Sequence, residues 1–227
     1  MKKQAILLSL LTYLAFTACQ NSGGTAPKAE ASEPATSAVD ADPAGDNYAV
    51  NTEASVIEWE GYKPGKYSHH GTIQLQSGNL GVSGGNLVSG SFVIDVNSLA
   101  NADLAENPDK KAKLEGHLKS GDFFEVEKYP TGKFEITKVE PLTADSTGAT
   151  HHITGNLTLK NITNSITIPA KVGIQNGSLM AETPEFTINR TKWKVEYGSG
   201  VIGTIKDELI ADDVKLKIKL AAAAQAQ

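Results

Sequence analysis

The stretch Val214-Lys215-Leu216-Lys217-Ile218-Lys219-Leu220 places apolar residues at even positions and lysines at odd ones. Successive side chains of a β-strand point to opposite faces, so this register predicts Leu216 and Ile218 buried and Lys215, Lys217 and Lys219 exposed. The same period of two recurs in Ile57 with Trp59, Ile73 with Leu75, Phe92 with Ile94 and Val96, and Phe134 with Ile136. Leu157 with Leu159, Ile166-Ile168-Ala170-Val172-Ile174, and Phe186 with Ile188 continue it, which gives about eight strands. Pro64-Gly65, Gly84-Gly85 and Asn176-Gly177 punctuate them, the last as a tight hairpin turn because both central residues tolerate positive φ. Ile162 to Ile174 would span about 40 Å as one strand, and Pro169 inside it predicts a bend or bulge.

Antiparallel strands with one dry face stack as a sandwich or close as a barrel, and closure removes exposed edges. The expected fold is all-β, an extended eight-stranded antiparallel barrel with one or two short helices. Such a barrel has room either for its own side chains or for one small ligand. Strand parity places Trp59, Phe92, Phe134, Ile136, Ile168, Ala170, Phe186 and Ile188 on the inner face. Ala170 is small among large neighbours, which leaves room for a chain-like ligand.

One segment breaks the alternation. Asn107–Lys119 has Pro108 near its start, helix formers after it, and Leu114 and Leu118 at i, i+4. It predicts a short helix followed by a turn at Ser120-Gly121. Asp122 is then expected to cap one more turn carrying Phe123 and Phe124, before Pro130 stops it. Across a barrel mouth the two phenylalanines would act as a plug; on the outer wall they would form a satellite cluster.

The chain's ends read differently. Two lysines, an apolar run to Ala18 and then Cys19 make residues 1–18 a secretory signal pattern, too short and wrongly flanked for a membrane span. Phe16-Thr17-Ala18-Cys19 resembles a bacterial lipobox, with Phe where Leu is usual. Cys19 would be the acylated residue, carrying palmitate-type chains. Residues 19–47 are Ala-, Ser-, Thr-, Pro- and Glu-rich and are expected to form a disordered tether reaching roughly 30 Å. Residues 48–220 form the barrel domain, and 221–227 (AAAAQAQ) a frayed or short helical tail. Cys19 is the single cysteine, so no intramolecular disulfide can form.

Charge and candidate chemistry narrow the function. A formal net charge of −5 with interspersed signs, and no basic stripe, excludes nucleic acid as a partner. The five histidines, His69-His70, His117 and His151-His152, lack metal-ligand spacing, and adjacent strand residues offer at most one inward ligand per pair. Asp207-Glu208 and Asp212-Asp213 lack the glycine and spacing of a calcium loop. No nucleophile elbow or placed acid pair is present, so no catalytic residue, cofactor or metal is assigned. Arg190, Trp193 and Tyr197 carry two readings: contact with a ligand and its polar head, or core packing with Arg190 paired to an acid such as Asp95.

Several segments in order are similar to the YceI-like family of exported bacterial proteins. They include SVIEWEGYKPGKYSHHG (55–71), GSFVIDVNSLANADL (90–104), LEGHLKSGDFFEVEKYPTGKFEITKV (114–139), TGNLTLKNITNSITIPAKV (154–172), FTINRTKWKVEYGSG (186–200) and LIADDVKLKIKL (209–220). HLKSGDFFEVEKYP is the most specific. The resemblance covers Tyr48 to Leu220; it departs at His69-His70, where one His is commoner, and in the lipobox and tether. It implies a lipocalin-like barrel whose lumen holds a polyisoprenoid or fatty-chain molecule. The expected protein is a non-catalytic carrier or store of such a lipid, anchored through Cys19 in the outer membrane and facing the periplasm. Gln20 after the anchor Cys, where an inner-membrane retention signal has Asp, sets that expectation. A homodimer is compatible with it. The rival readings are a filled barrel serving as an envelope interaction or stress-response module, and a histidine-dependent metalloenzyme.

Overall fold

A computed structural model describes residues 26–36, 45–143, 147–203 and 208–225. The signal segment and Cys19 lie outside these residues. Among those described, ten strands and one α-helix follow in order: β1 (Asp46–Val50), β2 (Val56–Lys63), β3 (Tyr67–Ser83), β4 (Asn86–Asn101), α1 (Pro108–Lys119), β5 (Thr131–Pro141), β6 (His151–Leu159), β7 (Ile162–Gln175), β8 (Ser178–Glu182), β9 (Phe186–Asn189) and β10 (Asp213–Ala224).

All named strand pairings are antiparallel, and the sheet closes because β10 pairs with β2 on one edge and with β8 and β9 on the other. The ten strands make an eight-stave ring. β1 and β2 share the stave between β10 and β3, and β8 and β9 share the stave on the other side of β10. Hydroxyls carry the ladder across both interruptions. Ala221 N donates to Ser55 Oγ at 3.1 Å, and Ile218 N donates to Thr183 Oγ1 at 2.9 Å. Ser55 and Thr183 are therefore buried yet satisfied, as buried polar groups must be.

Local chemistry explains the connections. Asn176-Gly177 and Gly84-Gly85 both have positive φ at two successive residues, the backbone that a two-residue hairpin turn requires. Lys160-Asn161 makes the same turn between β6 and β7 with two non-glycine residues. Gly155 faces the Phe134 ring, and a Cβ there would collide with that ring and with the Glu135 carbonyl. The helix starts at its predicted place, with Asn107 Oδ1 accepting from Lys110 N at 3.1 Å.

Four expectations need correction. Pro169 makes no bulge: it pairs with His152 in unbroken register, just before the β7–β8 ladder begins at Lys171. The bulges lie instead in β3–β4 and β5–β6. Asp122 does not cap the turn after α1; Ser120 does, its carbonyl accepting from Phe123 N and Glu125 N, while Asp122 pairs with His117 at 3.0 Å. The tail is neither frayed nor helical from Ala221 to Ala224, because β10 continues there between β1 and β8, and Ala222 is buried. Within the expected tether, Pro27–Ala35 is docked on the barrel, and Ala29 is buried.

The directions of β10 follow its alternation, although Leu216 and Ile218 are half-buried rather than buried and Lys215 and Lys217 half-buried rather than exposed. Leu216, Ile218 and Leu220 face the interior, while Lys215 pairs with Glu60 and Glu185 at 3.4 Å each, Lys217 with Glu182 at 2.8 Å and Lys219 with Glu58 at 2.7 Å on the outer face. These are partly solvated pairs, so they contribute little stability but disfavour a slipped register.

Candidate functional site: an apolar lumen with a polar mouth

The inner faces of the staves enclose a cavity of about 440 Å³, within the range of small-molecule sites. All eight residues assigned to the inner face by parity line it: Trp59, Phe92, Phe134, Ile136, Ile168, Ala170, Phe186 and Ile188. Phe92 and Phe134, opposite each other in β4 and β5, stack with ring centroids 6.3 Å apart. The far end, toward the Gly84-Gly85 and Asn176-Gly177 turns, is closed by fully buried Leu80 and Leu179.

The opposite end is the mouth. Tyr62, Tyr67 and Tyr197 line the cavity and are also solvent-exposed there. The helix α1 lies beside it: Leu114, His117 and Leu118 line the cavity, as do Phe123 and Phe124 of the following turn. Phe123 is buried, and its ring sits 5.1 Å from His117 and 5.2 Å from Tyr197, with His117 and Tyr197 themselves 4.7 Å apart. Lys160, on the β6–β7 turn, donates to the Phe123 carbonyl at 2.8 Å and fixes this cluster to the wall. The helix, the Phe123 turn and the tyrosines thus meet at one end of the lumen.

Among the described residues, charged and imidazole side chains touch the cavity only at this end: Lys63, His69, His117 and Arg190. His69 Nδ1 lies 2.8 Å from Asp103 Oδ2. Burial alone would raise the Asp103 carboxyl. It is outweighed by hydrogen bonds from the His70 backbone N–H, His69 and Asn101, together with the charge of His69, so the pKa is lowered to about 2. Among the described residues, no group of three His, Cys, Asp or Glu side chains is placed to hold a metal ion.

Arg190, Trp193 and Tyr197 separate into different roles. Arg190 is 6% exposed and donates to the carbonyls of Ala211 at 3.0 Å, Ile210 at 3.1 Å and Val195. Its acidic neighbour is Asp212 at 3.7 Å, not Asp95, which instead accepts from Asn97 N at 3.0 Å. Burial lowers the Arg190 pKa, opposed by the nearby Asp212 and Glu196 carboxylates. Its bonds to Ala211 and Ile210 tie the turn at 190–193 to the segment entering β10, and its bond to Val195 holds the chain just after that turn, so Arg190 shapes the mouth while its side chain borders the cavity. Trp193 is 0% exposed and lies outside the cavity, with Nε1 donating to Leu157 O at 2.9 Å. Tyr197 is on the rim.

His69 and His117 line the mouth, one of the places the sequence allows for the histidines, whereas sequence reasoning missed Tyr62 and Tyr67 as lining residues. Only the i, i+4 pair Leu114 and Leu118 signalled which side of α1 faces the barrel. Tyr62 and Tyr67 sit where β2 and β3 end and parity stops applying, whereas His69 keeps the inward parity of Ile73 and Leu75.

A YceI-like domain matches residues 48–222. The chain belongs to the YceI-like family. A UPF0312 protein of Pseudomonas aeruginosa strain LESB58 is 35% identical over 123 residues, which are 49% of this chain and 61% of that relative. The chain thus spans about three fifths of the length of the Pseudomonas relatives it matches. A UPF0312 protein of Shewanella denitrificans is 27% identical over 185 residues, 74% of this chain and 90% of the relative. Two solved structures share the fold. Burkholderia cenocepacia BcnA aligns with TM-score 0.57 at 19% identity, covering 76% of this chain and 98% of BcnA. A polyisoprenoid binding domain from Saccharophagus degradans aligns with TM-score 0.54 at 16% identity, covering 78% and 98%.

Proposed function

We propose that this YceI-like protein binds one long apolar molecule, a polyisoprenoid or fatty-chain lipid, in the barrel lumen and performs no chemistry on it. The observation that carries the reading is the segregation within the site. The lumen is lined by Trp, Phe, Ile, Leu, Val and Ala, with Thr183 Oγ1 taken up by the Ile218 N–H of the wall, while among the described residues cationic and imidazole groups occur only at the open end. A hydrocarbon chain fits the first region and a polar head fits the second. Burying one five-carbon unit gains at most about 4 kcal/mol before entropic costs, so a few buried units suffice without a charged anchor. The polyisoprenoid-binding relative from Saccharophagus supports the ligand class by fold likeness.

The same reading places the protein in the bacterial cell envelope as a lipoprotein acylated at Cys19, in the outer membrane and facing the periplasm. It rests on the signal pattern of the first nineteen residues and on Gln20. Fluorescence titration tests the binding claim, because Trp59 lines the cavity and Trp193 does not. Geranylgeraniol added to delipidated protein is expected to shift tryptophan emission saturably, and Trp59→Phe to abolish the change. No saturable change in the wild type would favour a filled barrel acting as an interaction module.

A further inference from the structure

Between β7 and β9 the barrel wall has no direct ladder. β7 pairs with β8 only from Lys171 to Gln175, and the recorded partner of β9 is β10. Pro27–Ala35 spans that interval. On one side Ala29 N donates to Thr187 O at 2.8 Å and Thr187 N donates to Pro27 O at 2.9 Å. On the other, Ser32 and Ser165 exchange both backbone hydrogen bonds at 3.0 Å. Beyond them, Asn156 clamps Ala35: Oδ1 accepts from Ala35 N at 3.0 Å and Nδ2 donates to Ala35 O at 2.8 Å. The bridge to β9 is parallel and that to β7 antiparallel, as one extended segment between two opposed strands requires. The segment even alternates. Ala29, 2% exposed, joins the core and Ala31 packs against it, while Lys28, Glu30 and Ser32 are exposed.

We infer that Pro27–Ala35 is a removable wall strand of the ligand chamber. Docked, it seals the side of the barrel and retains an apolar ligand; released, it opens a lateral exit distinct from the mouth. Two features separate it from a fixed stave. It is held by isolated bridges rather than a continuous ladder. Its inward side chains are alanines, which bury far less apolar surface than the Phe, Ile and Leu of the true staves, so its release exposes little. The segment also lies outside the residues that match the family domain. It precedes the barrel in the chain, so a pull on the N-terminal side acts on the seal first.

The inference rests on the carrier reading, and one experiment separates the two. In the full chain, with Cys19→Ser so that no third thiol competes, Ser32→Cys and Ser165→Cys are combined. Hydrogen-bonded antiparallel partners stand about 5.5 Å apart at Cα, within disulfide range. Dansyl-labelled geranylgeraniol is loaded, and its release into excess unlabelled geranylgeraniol is followed by stopped-flow fluorescence. The oxidised protein is expected to release the probe about tenfold or more slowly than the same protein after reduction. Ala29→Pro, which removes the N–H given to Thr187, should speed release by about tenfold, the scale that one lost hydrogen bond sets. If Ala29→Pro does not fold, the oxidised and reduced pair decides alone. Equal release rates with the disulfide verified by mass, or a cysteine pair that never closes under oxidant, would overturn the wall strand and leave the carrier intact. A wild type that takes up no probe would overturn the carrier reading, and this inference with it.

Discussion

Ala170 is the small residue in the inward series Ile166, Ile168, Ala170, Val172 of β7, 4% exposed and lining the cavity opposite His151. Ala170→Trp therefore asks whether the space beside it is real. In a filled core, inserting so large a side chain costs roughly 1–3 kcal/mol or more through strained rotamers and backbone shifts. For a domain of this size each kcal/mol moves Tm by about 2–4 °C, so a filled barrel would lose on the order of 2–12 °C. In the structure the indole enters a cavity of about 440 Å³. Engineered cavities of about 150 Å³ already admit benzene, so the indole fits without displacing the wall. A buried aromatic also removes about 150–250 Å² from water, which at about 25 cal/mol per Å² offsets residual strain. Delipidated Ala170→Trp should thus melt within about 2 °C of the wild type while its capacity for geranylgeraniol falls steeply. The assay pairs differential scanning calorimetry with lipid bound per protein. A large drop in Tm with unchanged lipid capacity would refute the hollow interior.

Other outcomes follow from the mouth, the clamp and the leader. Asp103, held at about 2 against an ordinary 3.8, contributes stability above pH 4 that is lost as pH falls toward 2. Asp103→Asn should cost about 2 kcal/mol in urea unfolding at pH 7, with the difference from wild type closing near pH 2. Arg190→Leu strands three carbonyls and Asp212 and should cost about 3–5 kcal/mol, whereas Asp95→Asn should cost under about 1 kcal/mol; the reverse order in denaturant midpoints would contradict the clamp. Phe123→Ala with Phe124→Ala should speed probe release through the mouth, and unchanged stopped-flow rates would remove their role as a plug. Cys19→Ala should move the protein from the membrane to the soluble fraction with its circular dichroism unchanged; persistence in membranes after signal removal would contradict acylation.

Much of the lumen was legible because strand parity is a strict rule. Once Leu216 and Lys217 fix which face is dry, neighbouring inner positions follow, and Trp59, Phe134 and Ile188 all reach the cavity. The α1 boundary was legible because Asn107 and Pro108 are chemically suited to a helix start. What failed did so where the signal is tertiary. Ala29 and Ala222 are buried beside exposed or half-buried neighbours, but alanine is too weakly apolar for such positions to stand out, and the prolines at 27 and 34 read as tether. Pro169 suggested a bulge because its missing N–H forbids a ladder bond; here that bond is not demanded, since β8 begins pairing only at Lys171. Arg190's choice of backbone carbonyls and Asp212 over Asp95 depends on how the 190–193 turn packs against 210–212, which no spacing in the chain encodes. Trp193 lies in that turn, where period-two parity says nothing about direction.

The carrier account is tested most directly by mass spectrometry of organic extracts from protein purified out of its native envelope without added lipid. The account predicts one polyisoprenoid or fatty-chain species near one molecule per protein, depleted in Ala170→Trp. Extracts from wild-type protein that match a blank preparation would contradict it and leave a filled barrel in its place.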